Sequence, residues 1–175
     1  MPIPKPTRAE PAVFIALGAN LGDPREQIRA AIRKLRESFR GALRASSLWE
    51  STPEHCPPGS PPFVNAVVEG VPHADDSPEQ MLDRLQALER EFGRRPKKLL
   101  NEARPLDLDL ITWGDEQRNS SKLVLPHPRA HERRFVLVPL HELAPELRFP
   151  GQTRTVTELV TALPPDPAFR CLGPV

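Results

Sequence analysis

The sequence predicts an α+β fold with a βαββαβ core, in which two amphipathic helices pack on one face of an antiparallel sheet. Three observations predict it. Apolar stretches of strand length and stretches of helical period follow in the order strand, helix, strand, strand, helix, strand. Both helical stretches open on a capping side chain followed by proline, and both are followed by glycine. The length, 175 residues, suits one domain that buries roughly 70% of its extended-chain surface.

Val13 to Leu17 reads as the first strand and runs into the loop Gly18-Ala19-Asn20-Leu21-Gly22. Asp23 and Pro24 supply an N-cap and a first helical residue. Ile28, Ala31, Ile32, Leu35 and Phe39 then recur at helical spacing, with Gly41 as the expected stop. Residues 43–49 are expected as a second strand, with Leu43, Ala45, Ser47 and Trp49 on one face. Residues 50–62 hold five prolines and a glycine, a long loop of the kind that is often functional. Phe63 to Gly70 is the third strand, and Asn65 inside it needs a polar partner if buried. Ser77-Pro78-Glu79-Gln80 repeats the cap-and-proline signal ahead of Leu82, Leu85, Leu88 and Phe92, and Gly93 ends that helix. Residues 94–104 are a basic loop, and Leu106 to Trp113 is the fourth core strand. This is the split, ferredoxin-like arrangement, which leaves the other sheet face for a site.

A C-terminal extension follows. Lys122 to Leu125 is extended and Pro126-His127-Pro128 is a turn. Phe135 to Leu143 is expected as a turn leading into a short helix, because proline at 139 suits only a helix start. Val156 to Leu163 is a short final element. The core spans about 12–163, and residues 1–10 and the proline-rich 164–175 are expected to be loose.

The formal charge is +1, which does not suggest a general nucleic-acid surface. Tyrosine is absent and Phe and Trp are few, so an aromatic platform for single strands is not expected. No apolar run reaches the ~18 residues of a membrane span, and the N-terminus lacks the apolar stretch of a secretory signal. Cys56 and Cys171 read as free thiols of a reducing cytoplasm.

The informative stretch is Arg104-Pro105-Leu106-Asp107-Leu108-Asp109-Leu110-Ile111. In a strand, Asp107 and Asp109 share one face roughly 6–7 Å apart, with the leucines on the other. Paired carboxylates suit Mg²⁺, which also keeps waters and takes substrate phosphates. Arg94, Arg95, Lys97, Lys98 and Arg104 lie just upstream, and arginine's fork suits phosphate. Acids for a metal beside bases for phosphate point to phosphoryl transfer. Gln86 and Glu89 share a helix face, and spacing alone reads them as exposed polar residues. His127, between two prolines, reads as a positioned donor. Neither a Walker A loop nor a dinucleotide GxGxxG is present.

Several separated segments together resemble the 6-hydroxymethyl-7,8-dihydropterin pyrophosphokinase family. They are Phe14 to Gly22, Ser46-Ser47-Leu48-Trp49, Phe63-Val64-Asn65-Ala66, Arg104 to Asp109, Leu125-Pro126-His127-Pro128, and Arg133 through Pro139-Leu140. The resemblance implies transfer of the β,γ-pyrophosphoryl group of ATP to the 6-hydroxymethyl group of the reduced pterin, leaving AMP. It implies two Mg²⁺ on Asp107 and Asp109, and Arg94 and Arg104 at the transferring group. Gln86, Glu89, Lys122, His127 and Arg133 would fall in the ATP site, with Glu89 towards the base or ribose. Phe135 would stack on the pterin, Asn65 would bond its polar edge, and Phe63 would line the pocket. Ser51, Thr52 and Glu54 would contribute from the first long loop. A monomer with no nucleic-acid or membrane partner is implied.

The chain departs from that pattern at several positions. Asn101-Glu102-Ala103 stands where the family often has tryptophan, glycine and proline. Pro105 replaces a hydroxyl residue, Lys122 an arginine and Val124 a threonine. Either Trp113, whose alternation puts it on the face of the acids unless it belongs to the sheet packing, or a shifted loop residue covers the pterin instead, or pterin binding is looser. Two other readings are a non-catalytic pterin or nucleotide binder and an RNA-binding module on the same scaffold.

Overall fold

The computed structural model describes residues 10–53, 55–95, 103 and 105–175. Glu54 and Arg104 lie outside them, as do residues 1–9 of the N-terminal stretch expected to be loose. Strand β1 (Val13–Ala19) leads to α1 (Pro24–Leu35), β2 (Phe39–Ala45), β3 (Leu48–Ser51), β4 (Phe63–Pro72), α2 (Pro78–Glu91) and β5 (Asp107–Trp113). A two-residue pair, β6 (Arg118–Asn119) and β7 (Val124–Leu125), precedes α3 (Arg134–Leu143), α4 (Val156–Thr161) and β8 (Arg170–Gly173). The main sheet is antiparallel in the order β5-β1-β4-β3-β8, with β2 also paired to β4. The α+β class and the βαββαβ core are therefore present.

Local chemistry explains the helix starts. The Asp23 carboxylate accepts the Glu26 N–H at 3.2 Å. Ser77 and Gln80 form a reciprocal capping box at 3.2 and 2.9 Å, which satisfies two otherwise orphaned donors.

Four expectations about the elements need correction. Phe39 is not helical: α1 ends at Leu35, a 3₁₀ turn follows, and Phe39 opens β2 opposite Pro72 while remaining in the core. The strand expected over 43–49 is broken at Ser46. Its hydroxyl accepts the Val67 N–H at 2.9 Å, standing in for a ladder carbonyl, and this side-chain competition re-phases the alternation. Leu43 therefore packs on the helix side, whereas Trp49 lies in register with Asn65 on the opposite face. Helix α3 starts at Arg134 and runs through Pro139, so it lacks the bond that would reach back to the Phe135 carbonyl. The tail is not loose throughout, because residues 170–173 form β8 along β3.

Two apolar clusters flank the sheet. On the first face Val13, Ile15, Leu17, Leu108 and Leu110 meet Ile28, Ile32, Met81 and Leu85 of α1 and α2. On the second, Phe14, Ala16, Val67 and Ile111 meet Val136, Leu137, Leu140 and Leu159 of α3 and α4. The extension thus covers part of the face that the βαββαβ core alone leaves open. Trp113 belongs to the first cluster, not to the face of the acids. A register shift opposite Phe14 and Ile15 gives β5 one extra residue, and such a bulge inverts the alternation beyond it. Trp113 therefore cannot cover a ligand beside Asp107.

Candidate active site

The second-face cluster stops at Ala16. The next row of the sheet, in register, is Asp107, Gly18, Asn65 and Trp49. A polar row beyond the edge of an apolar cluster defines the floor of the site. A Cβ on Gly18 would lie 3.4 Å from Asn65 Oδ1 and 3.9 Å from Phe63 Cδ1, so glycine keeps that floor low. Phe63 and Ser51 pair beside it, Thr52 is exposed one residue beyond β3, and Phe135, half-buried, packs at the cluster's edge.

Asn65 is only 3% exposed. Its Nδ2 donates to the Trp49 carbonyl at 3.3 Å and to Ser51 Oγ at 2.8 Å. A carbonyl can only accept, so the amide nitrogen must face β3 and Oδ1 is turned to the other side. Oδ1 accepts no hydrogen bond among the described residues, and it offers an acceptor to a ligand N–H.

Asp107 pairs with Gly18 and Asp109 with Ala16, so both carboxylates point to the second face. Asp109, against the apolar edge, has its carboxyl pushed up to about 7, first by burial and then by the charge of Asp107. Arg133 opposes that shift. The strand's outer edge is held from α2. Glu89 Oε1 accepts the N–H of Leu108, the residue between the two acids, at 2.8 Å. Burial raises the Glu89 carboxyl, and the Leu108 N–H pulls it back.

Helix α2 ends in a Schellman motif, with Gly93 N–H on the Arg90 carbonyl and Arg94 N–H on the Glu89 carbonyl, both 3.0 Å. Gly93 takes φ +92° there, which costs glycine least. That turn aims Arg94 at the acids: Nη1 lies 2.6 Å from Glu89 Oε1 and 2.7 Å from Asp107 Oδ1.

Across the site, His127 is pinned by its N–H on the Ile111 carbonyl at 2.9 Å. Its Nδ1 accepts the Arg129 N–H at 3.2 Å, so the proton of the neutral ring sits on Nε2. Burial and then the Arg133 charge lower its pKa to about 4. The Arg133 guanidinium lies 5.5 Å over the Phe135 ring. Lys122 pairs with Asp83 of α2 at 2.9 Å, one helical turn before exposed Gln86.

The structure thus gathers Arg94, Asp107, Asp109, His127, Arg133, Phe135, Phe63, Asn65 and Ser51 around the open end of the second face. Glu89 departs from its sequence reading. It is 7% exposed rather than a solvated helix residue, and its Oε1 meets the Leu108 N–H and Arg94. Four contributors escaped the sequence reading. Gly18 clears the floor, and Asn20, 1% exposed, donates to the Pro61 carbonyl at 3.2 Å and ties the first long loop to β1. Trp49 and Glu142 act across the strand–helix gap. Asn65 had already shown the available signal, a polar residue in an apolar strand; Asn20, one residue beyond β1, carries no such signal.

Among the described residues no group of three or more His, Cys, Asp and Glu side chains is placed to hold a metal. Two facing carboxylates are what this site offers, and they suit an ion that keeps waters and phosphate oxygens.

A carboxylate pair on a split β-α-β-β-α-β sheet, with arginines beside it and the Asn65 acceptor in the same row, is an arrangement suited to phosphoryl transfer. The family model for 7,8-dihydro-6-hydroxymethylpterin-pyrophosphokinase matches residues 14–145. The 2-amino-4-hydroxy-6-hydroxymethyldihydropteridine pyrophosphokinase of Haemophilus influenzae is 39% identical over 148 residues, covering 84% of this chain and 89% of that protein. The Pseudomonas aeruginosa enzyme of the same name is 40% identical over 153 residues, covering 87% and 91%. The folate synthesis bifunctional protein of Arabidopsis thaliana is 38% identical over 131 residues, or 75% of this chain and 26% of that one. The solved Plasmodium falciparum HPPK-DHPS superposes with a TM-score of 0.65 at 13% identity, covering 87% of this chain and 41% of that chain, a likeness of fold. The chain belongs to the 7,8-dihydro-6-hydroxymethylpterin-pyrophosphokinase family. Its activity is of that type: pyrophosphoryl transfer from ATP to a dihydropterin in folate biosynthesis.

Proposed function

We propose that the acceptor is the 6-hydroxymethyl group of 7,8-dihydropterin, that AMP is the second product, and that Asp107 and Asp109 hold two Mg²⁺ with ATP. The hydroxyl oxygen bonds to the β-phosphorus, the bond from that phosphorus to the α–β bridging oxygen breaks, and the alcohol proton is lost to solvent. Bound Mg²⁺ would neutralise charge on the phosphates. The observation that carries the reading is the register that sets Asp107 and Asp109 on the same sheet face as Asn65, whose Oδ1 is turned towards Gly18.

The chain's own groups would divide the work as follows. Asn65 Oδ1 accepts from the pterin's N–H edge. Phe63 and Phe135 supply ring area to the flat bicycle, and Ser51, Thr52 and Glu54 border it. A site that buries such an acceptor rejects ligands lacking the matching donor steeply. His127, neutral with Nε2–H free to donate, and Arg133, Lys122 and Gln86 serve ATP. Glu89 holds β5 and Arg94 in place. Arg94 and Arg104 meet the transferring group. The protein acts as a cytoplasmic monomer without nucleic-acid or membrane partners. No helix among the described residues is long and apolar enough to cross a membrane.

Incubation with Mg²⁺, ATP and the reduced pterin alcohol should yield AMP and the pterin diphosphate. Formation of ADP, or no turnover, would reject the proposal. Arg104→Ala should slow transfer roughly 100- to 1000-fold, and a loss under about tenfold would remove it from the transferring group.

A further inference from the structure

The C-terminal segment has no part in the chemistry above, yet it grips both walls of the acceptor pocket. Phe169 stacks on Trp49 with ring centroids 5.2 Å apart and planes 11° from parallel. β8 pairs with β3 through Trp49 and Cys171, and Arg170 bonds Glu50 at 2.8 Å. On the other wall, Arg134 at the start of α3 donates to the Pro164 carbonyl and lies 5.9 Å over Phe169. Arg134 stands between Arg133 and Phe135. Glu142, at the far end of α3, completes the clamp. It accepts the Trp49 indole N–H at 2.6 Å, and its other oxygen accepts the Ser47 N–H and hydroxyl at 3.2 and 3.0 Å.

These contacts converge on Trp49 and its short strand. The Trp49 carbonyl is one of the two acceptors that orient the Asn65 amide, and Ser51 Oγ, two residues along the same short strand, is the other. β3 is short, with four residues. Leu48 is buried in the core on one face, and on the other Trp49 is locked between Glu142 and Phe169. Resting on the reading of Asn65 as the acceptor for the pterin edge, we infer that Phe169 and Glu142 are positioning residues for pterin recognition. They act through Trp49 on the direction of Asn65 Oδ1. Loss of either loosens β3, and the amide then samples orientations that no longer present the acceptor.

The test uses the full chain carrying Phe169→Ala, Glu142→Ala or Phe169→Tyr. Pterin binding is measured with Mg²⁺ and a non-hydrolysable ATP analogue present, and binding of the analogue is measured alone. Each alanine variant should weaken pterin binding about fivefold to tenfold, the scale of one misdirected hydrogen bond. Binding of the ATP analogue should stay within about twofold. The Asn65 side-chain amide resonances should move in both alanine variants and return in Phe169→Tyr, which keeps the stack. If pterin affinity and those resonances are unchanged while the melting point falls, the tail only stabilises and the inference is overturned. Equal losses for pterin and nucleotide overturn it too, since they report general loosening. Failure of the wild-type protein to make AMP from the pterin alcohol is a different result and rejects the functional reading itself.

Discussion

Replacing Arg94 by alanine should destabilise the metal-free protein and make it respond more strongly to Mg²⁺. The guanidinium lies 2.6 Å from Glu89 and 2.7 Å from Asp107 and is 22% exposed. Unit charges at such a distance attract by roughly 6 kcal/mol per pair at an effective dielectric of about 20. Desolvation of all three groups offsets most of that. Exposed pairs are worth ~0–1 kcal/mol, and breaking a buried pair costs ~3–5 kcal/mol. One partly exposed guanidinium shared by two acids falls between, at about 2 kcal/mol. In a chain of this length ~1 kcal/mol shifts the midpoint by roughly 2–4 °C, so a fall of about 4–8 °C is expected. The variant leaves Glu89, Asp107 and Asp109 near one another with Arg133 still acting on Asp109. A divalent cation should therefore recover more stability in the variant than it adds to the wild type. Thermal unfolding with and without Mg²⁺ measures both effects. A midpoint within ~1 °C of wild type, or an equal Mg²⁺ response, would refute the picture of Arg94 as a charge that helps hold Asp107 without metal.

The remaining predictions concern the acids, the histidine and the pocket floor. Asp109 titrates near 7 when folded against 3.8 ordinarily, so its contribution to stability is complete below about pH 4 and is lost as pH rises to about 7. Asp109→Asn should abolish that decline and also Mg²⁺-dependent ATP binding, as read by denaturant unfolding across pH and by nucleotide titration. His127 behaves oppositely: its pKa falls from 6.5 to about 4, so stability is lost as pH drops from about 6.5 towards 4. His127→Gln should flatten that acid limb and, with Asp109 intact, leave a net decline from pH 4 to 7; an unchanged profile would show that the ring is not held neutral. Gly18→Ala puts a methyl 3.4 Å from Asn65 Oδ1, an ordinary contact, so stability should hold within about 1 kcal/mol. The same methyl raises the floor under a flat ligand, and pterin affinity should fall roughly tenfold or more; unchanged affinity would place the pterin elsewhere.

Much of the core was legible because its signals are local. Asp23, Ser77 and their prolines announce both helices, short apolar runs announce β1 and β4, and alternation announces the start of β5. What was misread involves partners distant in sequence. The break at Ser46 depends on Val67, and the inverted side of Trp113 depends on a bulge against β1. The order of the tail depends on an edge that β3 leaves unpaired for β8. The acids and arginines were visible as residue types. The burial of Glu89 was not, because its reason is the N–H of Leu108, nineteen residues away on an edge strand.

Residue identity and spacing settle the chemistry that this chain can perform: two carboxylates on one strand face, arginines upstream, and an asparagine in an apolar strand. These follow from side-chain periodicity and ionic character, which need no knowledge of the folded neighbours. Packing settles how that chemistry is arranged. It decides that the apolar cover ends at Ala16, that Asp109 is desolvated while Asp107 meets Arg94, and that Asn65 turns its oxygen outward. Desolvation and hydrogen-bond direction depend on which strands and helices come together, and that is a property of the assembled fold.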